Sequence, residues 1–159
     1  MDDQQRWRLE LKDSNVKVRA YAAENLCLAG SNSVAAAVDL VMVCGDVEDV
    51  QNWAVAALED LGPPSVDSVV LLEPLVGSSS PLVGYWAATL LGRLGGNANR
   101  SQSILGQAVS GSPHLSVQER AAWALGKIGV TEASVVVSLR SEAASDSPRL
   151  ASLANRALA

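Results

Sequence analysis

One segment recurs four times at nearly constant spacing, and this repetition constrains the fold more than any other feature of the sequence. Aligned without gaps, the copies are VRAYAAENLCLAG (18–30), VQNWAVAALEDLG (50–62), VGYWAATLLGRLG (83–95) and VQERAAWALGKIG (117–129). Their closing glycines, Gly30, Gly62, Gly95 and Gly129, follow one another at intervals of 32, 33 and 34 residues. A shorter fifth copy, LASLANRALA, occupies 150–159 in the same frame. A period of this length is typical of stacked repeat proteins.

Each copy has the apolar spacing of an amphipathic helix. In the first copy the apolar positions i, i+4, i+8 and i+11 share one helix face, and the other copies are apolar at the same positions. The closing glycine suits a left-handed residue that ends a helix. Ser, Asp and Pro residues precede the copies and suit helix N-termini. The copies are therefore predicted to be helices.

The segments between the copies are predicted to be the second helix of each pair. They cover 2–12, 33–44, 65–76, 101–110 and 131–143 and are rich in Val, Ile and Leu. Their valine content favours strands by propensity alone. A single strand in each unit would have no sheet to join, so the period favours a helix. Pro74 should end or kink the third of these helices near Glu73.

The repeated columns read V-R-x-x-A-A-x-A-L-G-x-I-G, and they resemble the short HEAT-like repeats of bacterial proteins, the type first noted in phycobilin lyases. This resemblance implies an all-α fold, a right-handed α-α superhelix (solenoid) of about five helical hairpins. It also implies one domain over 1–159, with repeats at about 1–30, 31–62, 63–95, 96–129 and an incomplete 130–159. The arginine of the second column is present only as Arg19, so an arginine ladder between repeats is not expected.

Composition excludes several functions. The 12 basic and 17 acidic residues give a net charge of −5, which disfavours nucleic-acid binding and a DNA-lesion enzyme. No apolar run approaches the roughly 20 residues of a membrane span. The two cysteines are too few for a disulfide framework, so a soluble, cytoplasmic protein is expected. The lone His114 has no catalytic partner nearby in sequence. We therefore expect no catalytic site, metal or cofactor.

The aromatic residues fall into two columns with different predicted roles. Tyr21, Trp53 and Trp86 share a column at the edge of the buried face and are predicted to pack together across repeats. Tyr85 belongs to a column that should face away from the core. By resemblance, such columns line the concave surface, so the candidate partner-binding residues are Asn52, Glu59, Tyr85, Thr89, Glu119 and Trp123. Neighbouring exposed aromatics are typical of interface anchors, although single ones are also ordinary on a solvent-exposed face.

Two classes of function follow from these observations. The first is a non-catalytic scaffold that binds a protein or peptide on the concave face of the repeats. The alternative, implied only by the resemblance, is an accessory factor of the bilin lyase or isomerase type. A chain that forms part of a larger HEAT-repeat protein is a variant of the first class.

Overall fold

The computed structural model of the protein describes residues 1–159, and every regular element in it is helical. The chain divides into two compact units, Met1–Ser65 and Val66–Ala159. The first unit contains α1 (Asp3–Glu10), α2 (Val16–Leu28), α3 (Ala37–Val43) and α4 (Glu48–Asp60). The second contains α5 (Val69–Leu72), α6 (Pro81–Arg93), α7 (Gln102–Gly111), α8 (Leu115–Ile128), α9 (Ala133–Ala143) and α10 (Pro148–Leu158). The predicted all-α fold is confirmed. The single domain over 1–159 and its repeat boundaries stay predictions.

The first unit is built around the pair α2 and α4, which are the first two copies of the repeated segment. These two helices pack against each other, α1 packs on α2, and α3 packs on α4. Six of the eight apolar positions predicted from the period are buried here, and the two at the ends of the first copy, Val18 and Ala29, are half-buried. Burial of leucine side chains stabilises such a pair by about 1.5–3 kcal/mol each.

In the second unit the third, fourth and fifth copies pack in order. Helix α6 contacts α8, and α8 contacts α10. The intervening helices α7 and α9 pack on each other and on this row. Leu91, Leu125 and Leu150 are buried at the interfaces. Each copy thus buries its apolar face against a neighbouring copy, as expected of a helical repeat array.

All four closing glycines have a positive φ. The values are 59° at Gly30, 71° at Gly62, 56° at Gly95 and 90° at Gly129, and no other residue of the chain has a positive φ. A side chain would be strained in this region of backbone conformation. The predicted role of the glycines in ending the helices is confirmed.

The second helices are less regular than the sequence predicts. The segment 65–76 is α-helical only at α5 and is 3-10 helical at Val66–Ser68 and Glu73–Gly77. The α-helix ends at Leu72, directly before Glu73, near which Pro74 is predicted to end it. The segment 33–44 likewise begins in a 3-10 helix over Gly30–Ala36 before α3. Proline lacks an amide hydrogen and clashes with the preceding turn, which explains the shortened helix at 65–76.

The second column of the repeat binds backbone carbonyls through different side chains. Gln51 Nε2 donates to the carbonyl oxygen of Cys44 at 2.8 Å, and Gln118 Nε2 donates to that of Val109 at 3.1 Å. Arg19 instead donates two hydrogen bonds to Asp46, at 2.7 and 2.9 Å. This bidentate pair lowers the pKa of the Asp46 carboxyl. Arg19 Nη1 also donates to the carbonyl oxygens of Asp13 and Ser14, at 2.9 and 3.1 Å. The column therefore holds the turn before the repeat helix in three copies, whereas Gly84 in the third copy has no side chain to do so.

Candidate functional site

The side chain of Arg120 lies between two aromatic rings in the second unit. Its guanidinium carbon is 4.5 Å from the ring centroid of Tyr85 on α6 and 4.5 Å from that of Trp123 on α8. Arg120 also donates a hydrogen bond to the Tyr85 hydroxyl. Arg120 and Trp123 can meet because residues three apart are neighbours on a helix surface. We call Tyr85, Arg120 and Trp123 the arginine–aromatic cluster.

A cavity of about 250 Å³ opens beside this cluster. Helix α10 completes its wall with Arg149 and Leu153, and Ser116 and Glu119 line it from α8. The Arg149 Nε lies 3.0 Å from a carboxylate oxygen of Glu119. Two arginines and one carboxylate thus meet at the cavity, so its wall carries a net positive charge in a chain whose total is negative.

Gly92 on α6 makes room for the ring of Trp123. A Cβ atom on Gly92 would lie 2.5 Å from Cζ3 of Trp123 and 3.0 Å from Cα of Ala124. No real side chain could occupy that space without moving the ring or the backbone of α8. The close approach of α6 and α8 therefore depends on this glycine, and it positions one ring of the cluster.

The structure brings three of the predicted site residues together. Tyr85, Glu119 and Trp123 line the same cavity. Asn52 and Glu59 are exposed on α4, in the first unit. Thr89 is only 2% exposed, and its hydroxyl donates to the carbonyl oxygen of Tyr85 at 2.7 Å. The expectation that Thr89 faces away from the core is wrong. Binding of a partner by the other five stays a prediction.

Sequence reasoning missed the two arginines of the site. Arg120 lies in the column that holds aromatic residues in the first three copies, and that column predicts a side chain at the edge of the buried face. The spacing R-x-x-W at 120–123 was the available signal, because it places a cation and an indole on one helix face. No spacing in the sequence indicates the role of Arg149, because its contact with Glu119 joins two different helices, α10 and α8.

The predicted packing of Tyr21, Trp53 and Trp86 across repeats is not observed. Trp86 is 5% exposed, and its ring packs edge-on against its own neighbour Tyr85, with centroids 5.6 Å apart. Arg93 lies over the same ring at 5.5 Å. Tyr21 is 57% exposed and Trp53 is 37% exposed, so the first unit leaves the aromatics of this column at its surface.

The buried Cys44 and the lone His114 lie outside this site. No group of three or more His, Cys, Asp or Glu side chains is placed to hold a metal ion. Burial raises the pKa of the Cys44 thiol to about 12, which disfavours the nucleophilic thiolate. His114 stands at the N-terminus of α8, where its amide donates to Ser112 Oγ at 3.2 Å. None of the helices has the length and apolar character needed to cross a membrane.

Comparison with known proteins supports the fold and the repeat type. The family model for the PBS lyase HEAT-like repeat matches residues 117–135, which include most of α8 and the start of α9. The resemblance of the repeated columns to this family is thereby confirmed. No curated protein matches the sequence.

Solved structures with a similar fold are repeat proteins of several origins. A crystal structure of an engineered protein is 19% identical, with a TM-score of 0.64 over 99% of this chain and 78% of that one. A designed armadillo repeat protein in complex with a (KR)4 peptide is 16% identical, with a TM-score of 0.63 over 96% of this chain and 79% of that one. The structure of the complex of CpcE and CpcF of phycocyanin lyase from a Nostoc species contains a chain that is 16% identical. The TM-score is 0.62, over 98% of this chain and 98% of that one. The chain has the all-α solenoid fold of HEAT-like and armadillo-like repeat proteins.

Proposed function

We propose that this protein is a non-catalytic scaffold that binds a protein or peptide segment at the cavity beside the arginine–aromatic cluster. The observation that carries the proposal is the placement of Arg120 between Tyr85 and Trp123, at 4.5 Å from each ring. A guanidinium held in this way has lost its rotational freedom before a partner arrives, and less binding energy is spent on ordering it.

The chemistry of the cavity favours a carboxylate on the partner. A guanidinium has five N–H donors, and the hydrogen bond of Arg120 within the chain goes to the Tyr85 hydroxyl. Arg149 adds a second guanidinium at the same wall. Planar guanidinium groups match the geometry of carboxylates in a bidentate manner. An Asp or Glu side chain, or a C-terminal carboxylate, is therefore the expected anchor of the partner.

Two further observations support a macromolecular partner. A volume of about 250 Å³ lies below the 300–1,000 Å³ common for small-molecule pockets, and it suits one or two side chains of a larger ligand. Helical repeat arrays provide extended binding surfaces. The structurally similar armadillo repeat protein was solved with a bound peptide.

Selection from a random peptide display library, followed by titration of the selected peptides, tests the proposal. We expect the selected peptides to contain Asp or Glu and to bind the native chain. Arg120→Ala should weaken binding at least ten-fold, because it removes the charge and the stacked plane. Arg120→Lys should also weaken it, since an ammonium keeps the charge but cannot form the bidentate contact.

The matched control replaces aromatics of the first unit, with Tyr21→Ala and Trp53→Ala combined. These exposed side chains lie outside the cavity, so affinity for the selected peptides should stay within two-fold. The helical circular dichroism and thermal midpoint of every variant should be compared with those of the native chain. Selected peptides that contain Asp or Glu and bind Arg120→Ala and the native chain equally well would place this binding surface elsewhere.

A bilin-handling accessory function is the second candidate, supported by the PBS lyase HEAT-like match at residues 117–135 and by the similarity to the phycocyanin lyase complex. Its test is the visible absorption spectrum of a bilin mixed with the chain. A shifted and sharpened band that disappears in Trp123→Ala would favour this function. An unchanged spectrum would favour the scaffold.

A further inference from the structure

The negative charge of the chain is concentrated in the first unit. Residues 1–65 contain 5 basic and 11 acidic side chains, a formal charge of −6. Residues 66–159 contain 7 basic and 6 acidic side chains, a formal charge of +1. Within the first unit, α2 and α4 together carry two basic and five acidic residues. The first unit should therefore attract cationic ligands, whereas the cavity described above lies in the second unit.

Large apolar side chains are exposed on the same two helices. Tyr21 on α2 and Trp53 on α4 occupy equivalent positions of the repeat, and they are 57% and 37% exposed. Leu28, two turns after Tyr21 on the same face of α2, is 74% exposed. Because α2 and α4 pack against each other, these side chains lie on adjacent helices. An exposed aromatic pair of this kind is typical of a binding surface rather than of a core.

Each of these aromatics shares its helix face with a carboxylate. Glu24 follows Tyr21 by three residues on α2, and Asp49 precedes Trp53 by four residues on α4, so each shares a helix face with an aromatic. Burial is the largest cause of the raised pKa of the Cys27 thiol, and the charges of Asp60, Glu24 and Glu59 also contribute. Asp60 and Glu59 belong to α4 and Glu24 to α2, so both helices contribute negative charge to this part of the first unit.

The two basic residues of α2 neutralise only part of the negative charge of α2 and α4. Arg19 is held in its bidentate pair with Asp46. Lys17 is exposed one turn before Tyr21 and is the other basic residue of α2, and α4 has none. The face that carries Tyr21, Glu24, Leu28, Asp49, Trp53 and Asp60 is called the acidic–aromatic surface below.

We propose that the acidic–aromatic surface binds a peptide segment rich in Lys or Arg. Cations are attracted to the faces of Trp and Tyr rings, and the surrounding carboxylates add ion pairs and raise the local concentration of a cationic ligand. The aliphatic stems of Lys and Arg also cover apolar side chains such as Leu28. This surface is a second binding site, separate from the cavity of the second unit. It binds cationic side chains, whereas the cavity binds a carboxylate, and the two sites share no residue.

Fluorescence polarisation of a labelled octapeptide of alternating Lys and Ser tests the proposal. At low salt the native chain should bind this peptide, and a matched octapeptide of alternating Glu and Ser should not bind. Trp53→Ala should weaken the affinity about five-fold, the effect of one cation–π contact. Glu24→Gln combined with Asp60→Asn should weaken it about ten-fold, and added salt should weaken native binding further.

The control for charge alone is Glu132→Gln combined with Asp146→Asn in the second unit. It makes the same change in net charge, and the affinity should stay within two-fold of the native value. Equal losses in the two double variants would overturn the proposal, because they would show attraction by net charge without a defined surface. Absence of measurable binding by the native chain would overturn it as well.

The variants also separate this proposal from the proposed function. Arg120→Ala should leave binding of the Lys–Ser peptide unchanged, because Arg120 belongs to the second unit. Loss of Lys–Ser binding in Arg120→Ala would overturn the assignment to α2 and α4. Failure of library peptides to bind at the cavity would overturn the proposed function. It would not affect the binding of the Lys–Ser peptide to α2 and α4.

Discussion

Gly92 shows how one missing side chain shapes the candidate site. The glycine lies inside α6, where any Cβ would overlap Cζ3 of Trp123, and the ring in turn packs on Arg120. Gly126 on α8 is a useful contrast, because a Cβ there would lie 3.6 Å from Cα of Ala157, an ordinary contact distance. The two positions have the same residue type and the same secondary structure. Only their neighbours differ.

Gly92→Ala and Gly126→Ala are expected to have opposite effects. Gly126→Ala should stabilise the protein by about 0.5–1 kcal/mol, because alanine is the better helix former. In Gly92→Ala that gain is outweighed by an overpacking cost of about 1–3 kcal/mol, and the tryptophan emission should shift as Trp123 moves. Urea unfolding and fluorescence spectra measure both effects. Equal stabilisation by the two substitutions would show that α6 and α8 are not as close as described.

Thr89 marks the limit of residue-level prediction. Its position in the repeat places it away from the buried stripe, which predicts an exposed side chain. Helix α6, however, is covered on several sides, and nine of its residues are buried, Thr89 and Leu90 among them. Helical periodicity identifies the most buried face of a helix, but it does not tell how many neighbours surround that helix.

At the scale of elements, the start of α9 depends on a side chain from α7. Gln102 is fully buried, and its Oε1 accepts hydrogen bonds from the backbone amides of Thr131 at 2.8 Å and Glu132 at 3.2 Å. Its Nε2 donates to the Thr131 hydroxyl at 3.0 Å. The N-cap residue of α9, Glu132, makes no capping bond with its own side chain. One buried amide therefore takes the place of a local cap.

Gln102→Leu is expected to destabilise the protein by about 1–3 kcal/mol, because the amides at the start of α9 lose their acceptor. Gln107→Leu on the exposed face of the same helix is the control and should change stability by less than about 0.5 kcal/mol. Hydrogen exchange at Thr131 and Glu132 gives the local readout. Unchanged protection of these amides in Gln102→Leu would mean that they do not depend on Gln102.

At the scale of the whole molecule, the repeat arrangement predicts where truncation is costly. In an array, stability is close to a sum of repeat and nearest-neighbour terms. Leu91 is fully buried on α6, a helix that packs against α8, whereas Leu158 is only half-buried at the end of α10. The same chemical change should therefore have unequal effects at these two places.

Leu91→Ala is expected to cost about 2–5 kcal/mol as a core truncation. Leu158→Ala should cost well under half of that, since fewer neighbours lose contacts. Urea denaturation of both variants, analysed with one m-value, makes the comparison. Equal losses would contradict the difference in burial between Leu91 and Leu158.

The sequence by itself determined the repeat, the helices of the repeated segment and the glycines that end four of them. A period of about 33 residues, the apolar stripe and the four glycines are local signals, and each depends on residues close together in the chain. It also indicated that Tyr85, Glu119 and Trp123 belong to one surface. The tertiary structure decided which columns are exposed, as Thr89 and Tyr21 show, and it placed Arg120 between two rings and Arg149 beside Glu119. These contacts join side chains of different helices. They depend on how neighbouring helices pack, and the periodicity within one helix carries no information about that packing.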